Sequence, residues 1–392
     1  ASGRALPISS VSAIVRFAGT KIDPSPASSV KKLRFMSRPL SRPRRNARRF
    51  FALLVLLAAG AGLWWFVASF KARVQTEKSQ AQPSLVELRS GERRLMGTTA
   101  EIILFAPDEE TGRAAIEKAF ARAEEINDIC SDYSPESELM RLCREPVNKP
   151  IAVSETLAEV LTHARTIAEL TEGAFDPTLG GYSKLWRKSK RKKELPDPIL
   201  LERARQSSGW EKFEVDLENF TVVIKDENLL LDLGGIAKGY AADEMLRVIN
   251  GHGITSAMVA VAGDIRLGAP PPARPGWAVG IRTLGATIEQ IIHVANCAVS
   301  TSGDIERHVE IGGQRYSHII DPETGLGLSY RIAATVVAPT SVQSDPLATF
   351  CCIRPELALK VFAAGEISCR VVGLAGGPYD RRTQQFPSIT LP

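Results

Sequence analysis

The sequence predicts an α+β fold, with mixed sheets packed against helices in one large domain, preceded by a single membrane-spanning helix. Three observations carry this prediction. Segments of helical and strand period follow one another without the regular βαβ alternation of a doubly wound sheet. The second half is rich in short strand-like runs closed by glycine turns. One uncharged apolar run, residues 50–70, stands apart near the N-terminus.

The 392 residues are 44% hydrophobic and 24% charged, enough to bury a full core. This excludes a disulfide-stapled miniprotein, a wholly disordered chain and a collagen-like fibre. The formal charge of +5 invites a nucleic-acid partner, but its distribution argues against one. Residues 1–49 hold twelve Lys or Arg against the single acid Asp23, a local +11 that leaves −6 for the rest of the chain. The basic character belongs to the tail, so no nucleic-acid partner is expected.

In chain order, residues 1–49 read as a disordered basic tail, with Met36 an alternative start of translation. Phe50 to Phe70 (FFALLVLLAAGAGLWWFVASF) is 21 residues long, enough at about 1.5 Å per residue to cross a hydrocarbon core of about 30 Å. Arg42, Arg44, Arg45, Arg48 and Arg49 precede the span, and Trp64, Trp65 and Phe66 lie toward its far end. By the positive-inside rule the tail is cytoplasmic and the large C-terminal part extracytoplasmic, the arrangement of a single-pass protein of a bacterial inner membrane. A cleaved signal peptide ending near Ala59-Gly60-Ala61 is the alternative. It would leave LWWFVASF as an exposed apolar N-terminus. Residues 71–90 read as a polar linker and 91–392 as the globular domain.

Within that domain, Met96 to Phe105 reads as a strand. Asp108 to Cys130 is an amphipathic helix, with Ile116, Ala119, Phe120, Ala123, Ile126 and Cys130 on one face. Ser154 to Leu170 is a second helix, N-capped by Ser154 and stopped by Gly173. Thr221–Lys225 and Leu229–Leu233 read as paired strands, the second running through Gly234-Gly235 into a helix that ends at Asn250. Strands follow at Ala257–Val261, Trp277–Arg282 and Ile288–Val294. His308–Ile311 and Gln314–Ser317 form a hairpin around Gly312-Gly313. Ala333–Ala338 is a strand, Val342–Cys352 and Pro355–Ala364 are helices, and Ser368–Leu374 is a last strand. The run Lys184 to Lys193 (KLWRKSKRKK) reads as a solvated loop able to meet an acidic partner or a lipid surface. None of the six cysteines has metal-ligand spacing; Cys351-Cys352 reads as core.

Four polar, Gly-rich stretches are candidates for chemistry. Gly173–Thr178 (GAFDPT) is a helix stop and turn. Leu231–Tyr240 (LDLGGIAKGY) places a carboxylate, two glycines and then Lys238 in the first turn of a helix, a setting suited to a pyrophosphate. Ser300–Asp304 (STSGD) and Tyr316–Pro322 (YSHIIDP) bring His318, whose imidazole suits a general base or a structural role equally. Ser344–Thr349 (SDPLAT) sets Asp345 and Thr349 one helical turn apart. That pair suits a hard cation such as Mg²⁺, or an N-cap with an inward-bonding threonine.

Taken in order, these stretches resemble the FAD:protein FMN transferase (ApbE) family. MGTT at Met96, DYSPESEL at Asp132–Leu139, GAFDPT, LDLGGIAKGYAAD, TSGD, RYSHIIDPETG and SDPLAT all occur in family order, from Met96 to about Ile353. The resemblance implies an ApbE-like domain that moves FMN from FAD to a Thr or Ser hydroxyl of a client redox protein and releases AMP. It implies FAD contacts at Met96, Tyr133, Ala174, Phe175, Asp176, Asp232, Lys238, His318 and Ile319, and His318 as the catalytic base. It implies Mg²⁺ held by the Gly235 carbonyl and the side chains of Asp345 and Thr349. Two other functions share these residues: an FAD pyrophosphatase giving FMN and AMP, and a non-catalytic flavin-binding protein. Two departures stand out. Pro346 follows the Asp, where a proline at a first helical position leaves the ligand in place. Ala262-Gly263-Asp264 replaces a Gly-Gly-acid turn.

Overall fold

The computed structural model describes residues 85–388 except 286, 289 and 305–307. All of them fall in one compact unit spanning 81–392. Among the described residues no helix is long and apolar enough to cross a membrane. The predicted span at 50–70, the basic tail and most of the linker lie outside them.

The domain begins with β1 (Val86–Arg89), β2 (Arg93–Leu95) and β3 (Thr98–Ala106). β1 lies within the segment expected to be linker. It is short and polar, and its register against β3 (Val86 on Ala106, Arg89 on Ile103) makes it a sheet edge with little apolar signal. α1 (Glu109–Cys130) is capped by Asp108, which accepts from the Thr111 amide at 2.7 Å. Its buried face runs from Gly112 and Ile116 through Phe120 and Ala123 to Cys130, the helical spacing expected. α2 (Glu138–Leu142), β4 (Ile151–Ala152) and α3 (Glu155–Leu170) follow. Ser154 caps α3, and the Glu138 carboxylate accepts from its amide and hydroxyl at 2.6 and 2.7 Å, tying α2 to α3.

α4 (Gly180–Lys192) and α5 (Pro198–Ser207) come next, then β5 (Phe213–Asp216) and β6 (Thr221–Ile224). The basic run 184–193 is therefore helix for nearly all its length, not loop. Tyr182, Trp186 and Ser189 recur at i, i+4 and i+7 and are buried, a stripe masked in the sequence by the lysines between them. Leu229–Leu233 is not a strand. Leu230 makes one isolated parallel bridge to Leu179, and its buried apolar neighbours line a loop rather than a ladder. β6 instead pairs with β5 and β4.

The rest of the chain builds the main sheet: α6 (Ala237–Gly251), β7 (Ala257–Val261), β8 (Asp264–Leu267), β9 (Trp277–Ile281), β10 (Gln290–Val294), β11 (Ala298–Gly303), β12 (His308–Ile311), β13 (Gln314–Ser317), β14 (Ile332–Ala338), α7 (Ser341–Ile353), α8 (Pro355–Val361), β15 (Ser368–Gly373) and β16 (Tyr379–Arg382). Nine strands form one sheet in the order β1-β3-β7-β8-β11-β14-β15-β16, with β2 on β3. Every ladder among the described residues is antiparallel, correcting the expectation of mixed sheets. Between β14 and β15 the chain makes two helices, α7 and α8, rather than one crossover helix. It thus re-enters the sheet at the end it left.

One face of the sheet packs Ile102, Leu104, Val259 and Val336 into the principal core with α1, α3, α6 and α7. The opposite face sends Ile103, Leu267, Val299 and Val337 against Trp277, Val279 and Ile292 of the β9–β10 hairpin. Every residue of β14 is buried because both faces are covered.

Candidate active site

The LDLGGIAKGY, STSGD and SDPLAT stretches meet where α6 crosses α7. Asp232 lies in the loop before α6. Its Oδ1 accepts from the Gly234 amide at 2.8 Å and its Oδ2 from the Ser183 hydroxyl on α4. The Gly234-Gly235 turn lies under the GAFDPT loop so closely that a Cβ on Gly235 would stand 3.2 Å from the Phe175 ring. Ala174 and Phe175 are buried, and Asp176 accepts from Thr178 through its amide (2.8 Å) and hydroxyl (2.6 Å). Burial pushes Asp176 above the usual carboxylate range against those two donors. No side chain caps the N-terminus of α6, leaving a helix end suited to an anion.

From the first turn of α6, Lys238 reaches into the interior. Its Nζ lies 2.8 Å from Asp345 on α7 and 2.8 Å from Asp264 on β8. Burial alone would lower its pKa, but the two carboxylates outweigh burial and hold it above its ordinary value. Asp345 is pushed up to about 6, first by burial and then by repulsion from Asp264. Lys238 and the Gly239 amide pull the other way. Two carboxylates thus face one ammonium in the interior. That surplus of negative charge, with hard oxygen donors alone, fits a divalent cation such as Mg²⁺. Thr349, one turn beyond Asp345, sits beside the Ser302 hydroxyl of β11 at 3.3 Å. Among the described residues no cluster of three His, Cys, Asp or Glu could hold a metal. The ligands implied by the resemblance are of another kind: one carboxylate, one hydroxyl and a backbone carbonyl.

The helix crossing depends on Gly239, where a Cβ would stand 2.2 Å from the Ser341 carbonyl oxygen and 3.0 Å from the Asp345 Cβ. One turn on, Asp243 accepts from the Ser341 and Val342 amides at 3.0 and 2.8 Å. It supplies the cap that Thr340 does not give α7, and pairs with Arg266 at 2.7 Å. Pro346 is not at a first helical position. The helix starts at Ser341, so Pro346 lies inside it. The N-terminal turn ahead of Pro346 is capped by Asp243 from α6.

Of the remaining predicted residues, Tyr133 and the His318–Ile319 segment form a rim organised by α4. Tyr133 is 78% exposed, and the Arg187 guanidinium lies 3.8 Å above its ring while pairing with Asp132. Burial, then the Asp232 charge, raises Asp132 despite Arg187. Trp186 Nε1 donates to the Ser317 carbonyl at 3.2 Å, fixing the end of β13. His318 follows as an exposed residue and Ile319 as a buried one, its amide donating to Ser317 Oγ at 3.1 Å. Met96 turns the chain between β2 and β3 with φ +50° and packs on the principal core.

The structure therefore joins Lys238 to Asp345 and Asp264, sets Thr349 one helical turn beyond Asp345 beside Ser302, packs Gly235 on Phe175, and links Asp232, Tyr133 and the His318 segment through α4. Sequence reasoning missed Asp264, Asp243, Ser183, Trp186 and Arg187. Asp243 stood in the quoted GYAAD stretch and Asp264 in the unusual AGD turn; both are long-range partners with no local period. Arg187 was hidden in the basic run.

Fold and site define a class first: an antiparallel-sheet α+β protein in which a half-buried lysine on one of two crossing helices lies between a buried carboxylate of the other helix and one of the sheet. The ApbE family matches residues 96–371. The FAD:protein FMN transferase of Treponema pallidum is 32% identical over 61% of this chain and 70% of its own, and that of Haemophilus influenzae 31% over 65% and 78%. The solved flavin transferase ApbE of Vibrio cholerae superposes with TM-score 0.67 at 30% identity, covering 77% of this chain and 98% of its own. The ApbE protein of Thermotoga maritima gives 0.68 at 27% identity, with the same coverage. This chain belongs to the ApbE family.

Proposed function

We propose that this protein is a FAD:protein FMN transferase whose acceptor is a Thr or Ser hydroxyl of a client redox protein. The observation that carries this reading is the Lys238–Asp345–Asp264 cluster beside the uncapped start of α6. It gathers, on residues matching the family's motifs, the charges a pyrophosphate and its cation require.

In this reading FAD is the substrate. Met96, Tyr133, Ala174, Phe175, Asp176, Asp232, Lys238, His318 and Ile319 contact it, with Phe175 and Tyr133 against its rings. The Gly235 carbonyl, Asp345 and Thr349 hold Mg²⁺, which when bound neutralises charge on the phosphoryl oxygens. Helix α6 directs its free amides at the pyrophosphate, and Lys238 adds positive charge beside it. His318, on the exposed side, takes the proton of the acceptor hydroxyl. The hydroxyl oxygen forms a bond to the FMN phosphorus as the phosphoanhydride bond breaks, and AMP departs with the electron pair. The 50–70 span anchors the enzyme in a bacterial inner membrane with this domain on the extracytoplasmic side.

The test is incubation with FAD, Mg²⁺ and a Thr-bearing acceptor peptide. Covalent gain of the FMN mass by the peptide, with stoichiometric AMP, is the expected result. Free FMN and AMP formed at the same rate without any peptide would instead identify a pyrophosphatase. FAD retained intact would identify a flavin carrier.

A further inference from the structure

The function above does not use the outer face of α4. Tyr182, Trp186 and Ser189 point into the domain, while Lys184, Lys188 and Arg191, also at i, i+4 and i+7, are exposed on the other side. Lys190, Lys192 and Lys193 extend the exposed charge. Between Gly180 and Lys193 there is no acid, and among the described residues none of these six side chains makes an ion pair. The helix dipole accounts for cations in the last turn, but not for Lys184 and Lys188 before it. Lys193 ends the helix in the left-handed region, φ +56°, a position glycine fills at less cost. Just past the cluster two aliphatic side chains stand in solvent, Leu195 at 48% and Ile199 at 66% exposure.

We infer that this face of α4, with Leu195 and Ile199, docks on an anionic lipid surface. Cations on one helix face seek headgroup phosphates, and flanking aliphatic side chains enter the acyl boundary; neither feature alone requires a membrane, but the pair matches one. The membrane is also near in the sequence. Only residues 71–84 separate the apolar run 50–70 from the described domain, a reach of at most about 50 Å. Docking would orient the site, because the inner side of α4 grips Asp232 through Ser183, Tyr133 through Arg187, and the segment before His318 through Trp186.

The test uses residues 85–392, so an anchor contributes nothing. This part folds alone, since the solved relatives match it over 98% of their own chains and its cores close within it. Co-sedimentation with equimolar phosphatidylglycerol–phosphatidylcholine vesicles should exceed that with phosphatidylcholine alone by on the order of 100-fold. K188E/K190E/R191E/K192E should reduce it to the neutral-lipid level. L195S/I199S should weaken it with every charge in place. Both variants should keep the parent's thermal midpoint and FAD affinity. Equal binding to the two vesicle types, or binding untouched by the charge reversals, overturns the proposal. Binding to polyglutamate but not to vesicles overturns it in favour of an acidic protein.

Discussion

The crossing of α6 and α7 and the rim around α4 solve opposite problems. At the crossing, Asp264 and Asp345 are buried between a nine-stranded sheet and two helices, Lys238 is half-buried between them, and each contact is direct. At the rim, Tyr133 and His318 are exposed and borne on short segments, held from behind by Arg187 and Trp186. The difference teaches a division of labour. In the proposed function, charge on a pyrophosphate is met where the scaffold is packed, and a large acceptor is met where side chains stand open to solvent.

The largest effect that would break this comparison is at the rim. His318→Ala should lower FMN transfer about 10²–10⁴-fold while leaving FAD affinity near the parent's, read by peptide mass and by flavin fluorescence titration. A loss of FAD affinity in equal measure would move His318 from proton transfer to binding. At the crossing, Asp345→Asn should lower transfer by about 10²–10³-fold and abolish stabilisation by added Mg²⁺ in a thermal melt.

Asp345→Asn should also change the pH dependence of the metal-free protein. The folded-state pKa of Asp345 is raised from 3.8 to about 6, so the folded chain holds this proton more tightly than the unfolded one. Its contribution is fully present below the unfolded value and lost as pH rises through about 6. Chelator-treated parent protein should therefore lose stability as pH rises from about 4 to about 6 and level off above about 7, a decline larger than that of the asparagine variant. The variant still pairs Lys238 with Asp264. A parallel decline in both proteins would assign the effect elsewhere.

Packing gives the next effect. Gly239→Val should cost about 3 kcal/mol in denaturant unfolding, because its side chain meets the Ser341 backbone. The smallest effect should be a gain. Ala262, ahead of Asp264, has φ +55°, and Ala262→Gly should stabilise by about 1 kcal/mol, seen as a raised thermal midpoint.

What the sequence made legible follows the same division. Segments with a clean local period, such as α1, α3, β7 and the β12–β13 hairpin, were readable because each pattern of burial is set by one neighbouring layer. Lys238, Asp345 and Thr349 were readable as a chemical set through the family motifs, and of these the fold pairs Lys238 with Asp345. Leu229–Leu233 misled because a buried apolar loop and a strand have the same composition. The buried stripe of α4 was hidden by lysines at intervening positions. Asp264 and Asp243 act across long sequence distances, and no spacing rule connects Lys238 to Asp264 or Asp243 to Ser341.

Asp243 has a consequence for the order in which the molecule comes apart. A helix capped by its own residue can fray alone; α7 is capped by a carboxylate on α6 and crosses that helix at a position with no room for a side chain. Opening α6 uncaps the Ser341 and Val342 amides of α7, and opening α7 strips Lys238 of its Asp345 partner. The two should therefore melt as one cooperative unit, with their amide protons exchanging at a common, near-global free energy.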